Sequence, residues 1–203
     1  VLPSDRVFLT GEGSSRIFPA KHAVFRALSL GLAQQIHTEA CYQAAELDLK
    51  EWKVFGASNS GKTRELLFLF EKLKRENVPT VAVTAGQGTP LEKVADQTFV
   101  LSCGPEKAIP ATKVVIEEAL FFDELVHRLA GRTIQPLLPK LSNLSEKVLR
   151  TDIDPEIVML GAKSSRIFFA GRNDGVAEEL TIKRVEIARK LSIFLEGTSA
   201  LHG

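Results

Sequence analysis

Cysteine is scarce in this chain: Cys41 and Cys103 are the two in 203 residues. So distant a pair matches neither a metal-ligand spacing nor a disulfide framework. Both are expected as reduced thiols, in keeping with a cytoplasmic location. Long apolar runs are missing too. No stretch of about 18 apolar residues occurs, so no membrane-spanning helix is expected. No signal peptide is visible. Charge of one sign is also missing: 26 Lys and Arg stand against 25 Asp and Glu, a net charge of +1. That removes any global electrostatic case for nucleic acid or an acidic membrane as partner. Methionine is limited to Met159, with none at position 1, which leaves open that the chain is a piece of a longer protein. What is present is ordinary for a globular protein, 44% hydrophobic and 25% charged. The length suffices for one large or two small domains with real cores.

One stretch organises the rest: Trp52-Lys-Val-Phe-Gly56-Ala-Ser-Asn-Ser60-Gly61-Lys62-Thr63. The apolar Val54-Phe55 enters a turn running from Gly56 to Gly61, and a strong helical pattern begins at Thr63. Glycines let backbone N–H groups approach an anion. The helix that follows offers unpaired N–H groups and a positive dipole end to the same anion. Ser58, Ser60 and Thr63 add hydroxyl donors, and Asn59 an amide. The stretch reads as a phosphate-binding strand–turn–helix, and its bland alternative is a Ser-capped turn.

Two phosphate readings compete. Gly56-x4-Gly61-Lys62-Thr63 matches the P-loop of nucleotide hydrolases letter for letter. That site also needs a carboxylate for magnesium at the end of an apolar strand. The apolar strands here, 6–10, 80–84, 98–102 and 166–170, close on Thr10, Thr84, Ser102 and Ala170, none of them acidic. A Ser- and Thr-rich sugar-phosphate pocket needs neither metal nor cofactor, and it is the preferred reading.

The remainder alternates strand and helix. Arg6 to Thr10 is a strand, and Gly11-Glu-Gly13-Ser14-Ser15 is a second glycine turn before a helix over 17–32. Residues 36–42 read as a short strand running into a turn. Thr80 to Thr84 and Thr98 to Ser102 are strands flanking a short helix over 91–95. A loop from Gly104 to Lys113 leads into a helix over 112–130. Alternation of this kind predicts an α/β fold, a doubly wound parallel sheet in three α/β/α layers. Ligands of such sheets sit at the carboxyl ends of the strands, where both Ser-rich turns fall. Residues 133–139 read as a linker and 141–150 as an amphipathic helix, followed by a short helix over 155–160. Arg166-Ile-Phe-Phe-Ala-Gly171 then repeats Arg6-Val-Phe-Leu-Thr-Gly11 at an offset of 160 residues, so the chain begins the same unit twice. The literal repeat Ser-Ser-Arg-Ile-Phe at 14–18 and 164–168 falls in another register and reads as coincidence. A helix over 176–194 is expected to carry Lys183 and Glu186 on one face.

Together these pieces resemble the SIS (sugar isomerase) domain family, including the two-domain isomerase half of glucosamine-6-phosphate synthase and its stand-alone relatives. Gly11-Glu-Gly13-Ser14-Ser15 is similar to the family's Gly-x-Gly-Thr-Ser turn, and Ser58-Asn-Ser60-Gly-Lys-Thr63 to its phosphate loop. Gly104-Pro-Glu106-Lys-Ala-Ile-Pro-Ala111-Thr112-Lys113, Lys183-Arg-Val-Glu186 and Leu201-His202-Gly203 resemble its later motifs. The resemblance implies a first SIS domain over 1–132, a helical linker over 133–160, and over 161–203 the N-terminal part of a second, incomplete SIS domain. It implies that Ser14, Ser15, Ser58, Asn59, Ser60 and Thr63 hold the phosphate of a sugar or aminosugar. Glu186 would move a proton between C1 and C2 through an enediol or enolamine, with Lys183 supporting it and His202 opening the ring. The implied activity is an aldose–ketose isomerase, or an isomerising deaminase, of a hexose or hexosamine 6-phosphate in a homodimer. A phosphosugar-sensing module without catalysis is the alternative. Family members of this layout continue past His202, and the synthase's C-terminal imine-forming lysine has no counterpart. No glutaminase domain precedes the first strand, so glutamine-dependent synthesis is not expected of this chain by itself.

Overall fold

Apolar residues fill successive positions of the early strands, and such strands are stable only when covered on both faces. The computed structural model describes residues 6–202 and shows that covering. In chain order the elements are β1 (Arg6–Gly11), α1 (Ile17–Ser29), β2 (Gln35–Ala40), α2 (Cys41–Ala44), β3 (Lys53–Ser58), α3 (Arg64–Arg75), β4 (Thr80–Thr84), α4 (Pro90–Val94), β5 (Gln97–Val100) and α5 (Lys113–Leu129). The five strands form one parallel sheet in the order β2-β1-β3-β4-β5. Val7, Leu9, Phe55, Ala57, Val81 and Val83 face a core shared with Ala20, Ala23, Val114, Phe122 and Val126 of α1 and α5. Phe8, Val54 and Ala82 face the opposite core, closed by Leu66, Leu69, Phe70 and Leu73 of α3. Each large apolar side chain of α3 buried in this way stabilises the layer by about 1.5–3 kcal/mol. The fold is thus a three-layer α/β/α arrangement.

Strand order reverses between β1 and β3. From β1 the chain crosses outward to β2, and from β3 it crosses the other way to β4 and β5. The two strands are direct neighbours, with Thr10 opposite Gly56 and Gly11 opposite Ala57. Their carboxyl ends therefore open a crevice, the usual ligand position of such a sheet.

After α5 come a 3-10 turn (Gln135–Leu137), α6 (Leu138–Leu149), α7 (Pro155–Lys163), β6 (Arg166–Gly171), α8 (Val176–Ala188) and β7 (Leu191–Glu196). The helix expected from residue 141 starts at Leu138, with Pro139 in its first turn, where a missing N–H costs nothing. The helix expected over 176–194 ends at Ala188. Arg189 adopts φ 53°, a left-handed stop, and Leu191–Glu196 instead pairs in parallel with β6. Charge spacing suggested a longer helix, but residues 191–196 satisfy their backbone groups in the two-stranded sheet. β6–α8–β7 repeats β1–α1–β2, with six aligned pairs in each. The two Ser-Ser-Arg-Ile-Phe copies differ in structure, as expected: one starts α1 and the other enters β6. α8 abuts the start of α1, since a Cβ on Gly175 would stand 2.3 Å from the Ile17 carbonyl oxygen. Lys21 of α1 pairs there with Glu178. Among the described residues no helix is long and apolar enough to cross a membrane.

Candidate active site

β3 carries its buried character through Ser58, so the turn begins at Asn59 rather than at Gly56. Gly56 is a strand residue pressed under α3. A Cβ on it would lie 2.6 Å from Leu66 Cδ1 and 2.7 Å from the Phe70 ring. The P-loop likeness in letters therefore has no loop counterpart at its first glycine. Gly61 has φ 59°, and a Cβ there would meet Thr89 Cβ at 2.5 Å. The turn is sewn to the next loop by Ala85 N–H donating to the Asn59 carbonyl and Leu91 N–H to the Gly61 carbonyl.

Within the turn, Ser58 Oγ lies 2.8 Å from Thr63 Oγ1 and accepts from the Gly61 N–H at 3.1 Å. The two hydroxyls use one proton between them and keep the other free. Ser60 is exposed; its Oγ accepts from the Lys62 N–H, which leaves its own proton to donate outward. Asn59 Oδ1 accepts from the Glu106 N–H, so its amide N–H groups remain available. Thr63 precedes α3 without capping it, so the first N–H groups of that helix keep no intrahelical partner. Across the crevice, Ser14 and Ser15 occupy the 3-10 turn after β1; the Ser14 hydroxyl is buried without a hydrogen-bond partner. The sheet thus brings the six expected phosphate ligands to the carboxyl ends of two adjacent strands.

The Gly104–Lys113 loop serves α5. Glu106 accepts from the Thr112 hydroxyl and from the N–H groups of Thr112, Lys113 and Val114. Burial alone would raise its pKa, but these hydrogen bonds outweigh burial and hold the carboxyl below its ordinary value.

A cavity of about 340 Å³ opens between α5, α1 and α8, lined by Phe18, Thr112, Val115, Glu179, Leu180 and Lys183 among others. Lys183 Nζ stands 2.7 Å from Glu186 and 3.3 Å from Glu179. Lys183 lines the cavity; Glu186, 38% exposed at the side chain, is not among the lining residues. His202 is exposed after a 3-10 turn (Ser199–Leu201), its N–H donating to the Ser199 carbonyl. The structure brings Lys183 toward the first unit and leaves Glu186 and His202 at the surface of the described residues.

Two carboxylates here escaped the sequence reading. Glu179 is buried, one helical turn before Lys183. Glu118 of α5 is fully buried, and neither of its oxygens meets hydrogen-bond geometry. Burial lifts its carboxyl to about 8; the Ser15 hydroxyl nearby pulls the other way, and the charges of Glu179 and Glu106 add to the rise. The signal was a glutamate on the apolar face Val114, Val115, Ala119, Phe122 and Val126 of α5.

A family model described as SIS domain matches residues 2–128. A glutamine–fructose-6-phosphate aminotransferase (isomerizing) of Clostridium perfringens is 25% identical over 214 residues, covering 98% of this chain and 35% of that protein. The chain thus spans about a third of the length of the curated relatives it matches. Among solved structures, the C-terminal domain of glucosamine-fructose-6-phosphate aminotransferase from Francisella tularensis aligns with a TM-score of 0.82 at 18% identity, over 98% of this chain and 60% of the other. A glucosamine-6-phosphate deaminase from Thermotoga maritima aligns at 0.78 and 23% identity, over 98% and 63%. At these identities the two structures speak for the fold.

Proposed function

The chain belongs to the SIS domain family, and from that premise we propose that it binds a phosphorylated sugar or aminosugar in the β1/β3 crevice. The observation that carries this reading is the set of free hydroxyl donors on two adjacent strand ends, beside a cavity bearing Lys183. Hydroxyls and backbone N–H groups suit a monophosphate dianion, since charge-assisted hydrogen bonds are the strong ones. The α3 N-terminus adds its dipole.

The chemistry that fits is proton transfer between C1 and C2 of a hexose or hexosamine 6-phosphate, as in an aldose–ketose isomerase or an isomerising deaminase. Glu186 takes a proton from the carbon beside the carbonyl, an enediol or enolamine forms, and the proton returns to the neighbouring carbon. Lys183 stabilises the developing oxyanion, and His202 assists ring opening. Residues 161–203 are the start of a second unit of the same kind, whose helix carries the base. The exposed position of Glu186, outside the cavity, favours a second reading, a phosphosugar-sensing module without catalysis. Solvent-deuterium exchange into C1 or C2 of a bound hexose phosphate separates the two: the isomerase or deaminase exchanges, and the sensor binds without exchanging.

A further inference from the structure

Glu118 takes no part in the proton transfer assigned to Glu186, yet its surroundings are unusual. Its carboxyl is fully buried at the junction of α5, the Gly13–Ser15 turn and α8, with no hydrogen bond to either oxygen. The groups acting on it are the Ser15 hydroxyl from the turn, Glu179 from α8 and Glu106 from the loop before α5. Both charged groups carry its own sign. Lys183 meets Glu179, and the first N–H groups of α5 meet Glu106, so neither counter-charge is given to Glu118. α1, packed on the same core, contributes Ala20, Ala23 and Ala27. On α5 itself, Glu117 turns away to bond Ser102 and Cys103.

An ionised carboxylate in such a place has no cation and only the Ser15 hydroxyl as donor, and it is disfavoured. Protonation removes the charge and supplies one O–H donor. The Ser15 hydroxyl beside it can accept that proton in a hydrogen bond. A serine that accepts keeps its own proton for another partner, whereas a serine that donates to a carboxylate has none left. We propose that Glu118 is a positioning residue, held as a neutral acid that donates to Ser15, so that Ser15 donates in turn to the phosphate of the bound sugar. The inference rests on the phosphosugar reading of the crevice. Ionising Glu118 reverses the Ser15 hydrogen bond and sets a negative charge behind a dianion. The raised carboxyl value, about 8, places that change within reach of a pH titration. The thiols stay outside the window, since burial pushes Cys41 up to about 12 and Cys103 up to about 11.

The test is calorimetric titration of the full-length protein with fructose 6-phosphate from about pH 7 to about pH 9, above the second phosphate ionisation. Wild-type affinity should fall several-fold and at most about tenfold across this range, the limit for one group that titrates near 8 and must be protonated to bind. Glu118→Gln keeps a neutral donor of the same size, so its affinity should match wild type at the lower pH and stay level at the higher. A level wild-type profile overturns the proposal, as does a variant that falls as steeply as wild type. If Glu118→Gln fails to fold, carbon-13 NMR of the labelled wild-type carboxyls decides: titration of Glu118 near pH 8 supports the proposal, and titration in the ordinary carboxylate range overturns it. A wild type that binds no hexose phosphate overturns the phosphosugar reading and this inference with it, while binding without the pH step overturns this inference alone.

Discussion

Ser58 Oγ and Thr63 Oγ1 stand 2.8 Å apart and close the turn between β3 and α3. Ser58 is 2% exposed, whereas Ser60, two residues on, faces solvent. The two serines should therefore separate by experiment. Ser58→Ala removes an acceptor of the Gly61 N–H, which keeps the Ser58 carbonyl at 3.2 Å. Stability should drop by about 1 kcal/mol, read as a lower urea midpoint. Ser60→Ala should leave the midpoint unchanged. It removes a donor to a dianion, a bond worth about 1.5–3 kcal/mol, so hexose-phosphate affinity should weaken about 10- to 150-fold by calorimetry. Unchanged affinity would remove Ser60 from the site.

Glu106 predicts an acid-side stability effect. Hydrogen bonds from the start of α5 outweigh burial and keep its folded pKa below the ordinary 4.5. A lowered folded value means stability that is complete above the unfolded pKa and lost as pH falls through the folded one. Wild type should lose stability on acidification below about pH 4.5, and Glu106→Gln should lack that component. At neutral pH, Glu106→Ala should cost about 0.5–2 kcal/mol, the scale of a lost helix cap. Thermal melts across the acid range test both, and parallel profiles for wild type and Glu106→Gln would assign the capping no electrostatic part.

The strand–turn–helix at 53–75 was legible because hydroxyls, glycine and an apolar helix period fall together there. The role of Gly56 was not, because Leu66 and Phe70 lying over it are a tertiary fact. β7 was masked by charges spaced like a helix, and only its partner β6 decides otherwise. Glu117 and Glu118 stand side by side, and composition does not tell them apart. A rotation of one residue about α5 makes the first a cap for Ser102 and Cys103 and buries the second. The same rotation carries Glu118 to Ser15, a residue that the glycine-turn motif had already marked.

The second unit leaves apolar surface to be covered. Its sheet has two strands, too few to be stable alone, and Phe168, Leu191 and Ile193 are exposed on it. Leu149 and Leu160 are exposed on α6 and α7. We expect a second copy of the chain to bury these faces, with the protein a homodimer. Light scattering at micromolar concentration should give twice the chain mass, and a monomer there would count against both the dimer and any role for His202 across an interface.

The sharpest prediction concerns Glu186. It shares Lys183 with the buried Glu179, at 2.7 Å and 3.3 Å respectively. Glu186 is the more exposed of the two acids, so it can meet a substrate without desolvating a buried pair. Abstraction of a proton beside a carbonyl needs a base within hydrogen-bond reach of C1 or C2. Glu186→Gln keeps the size and removes the base, so turnover should fall about 10²- to 10⁴-fold with phosphosugar affinity preserved. Deuterium entry into the bound sugar, followed by NMR, should be seen in wild type and lost in the variant. Lys183→Met should weaken the same exchange while the Ser60→Ala effect on affinity persists in its background, because in the proposed reaction the turn and the base would act on different parts of the sugar. Exchange that continues undiminished in Glu186→Gln would move the base to another residue, and the buried Glu179, one turn earlier on α8, is the first to test.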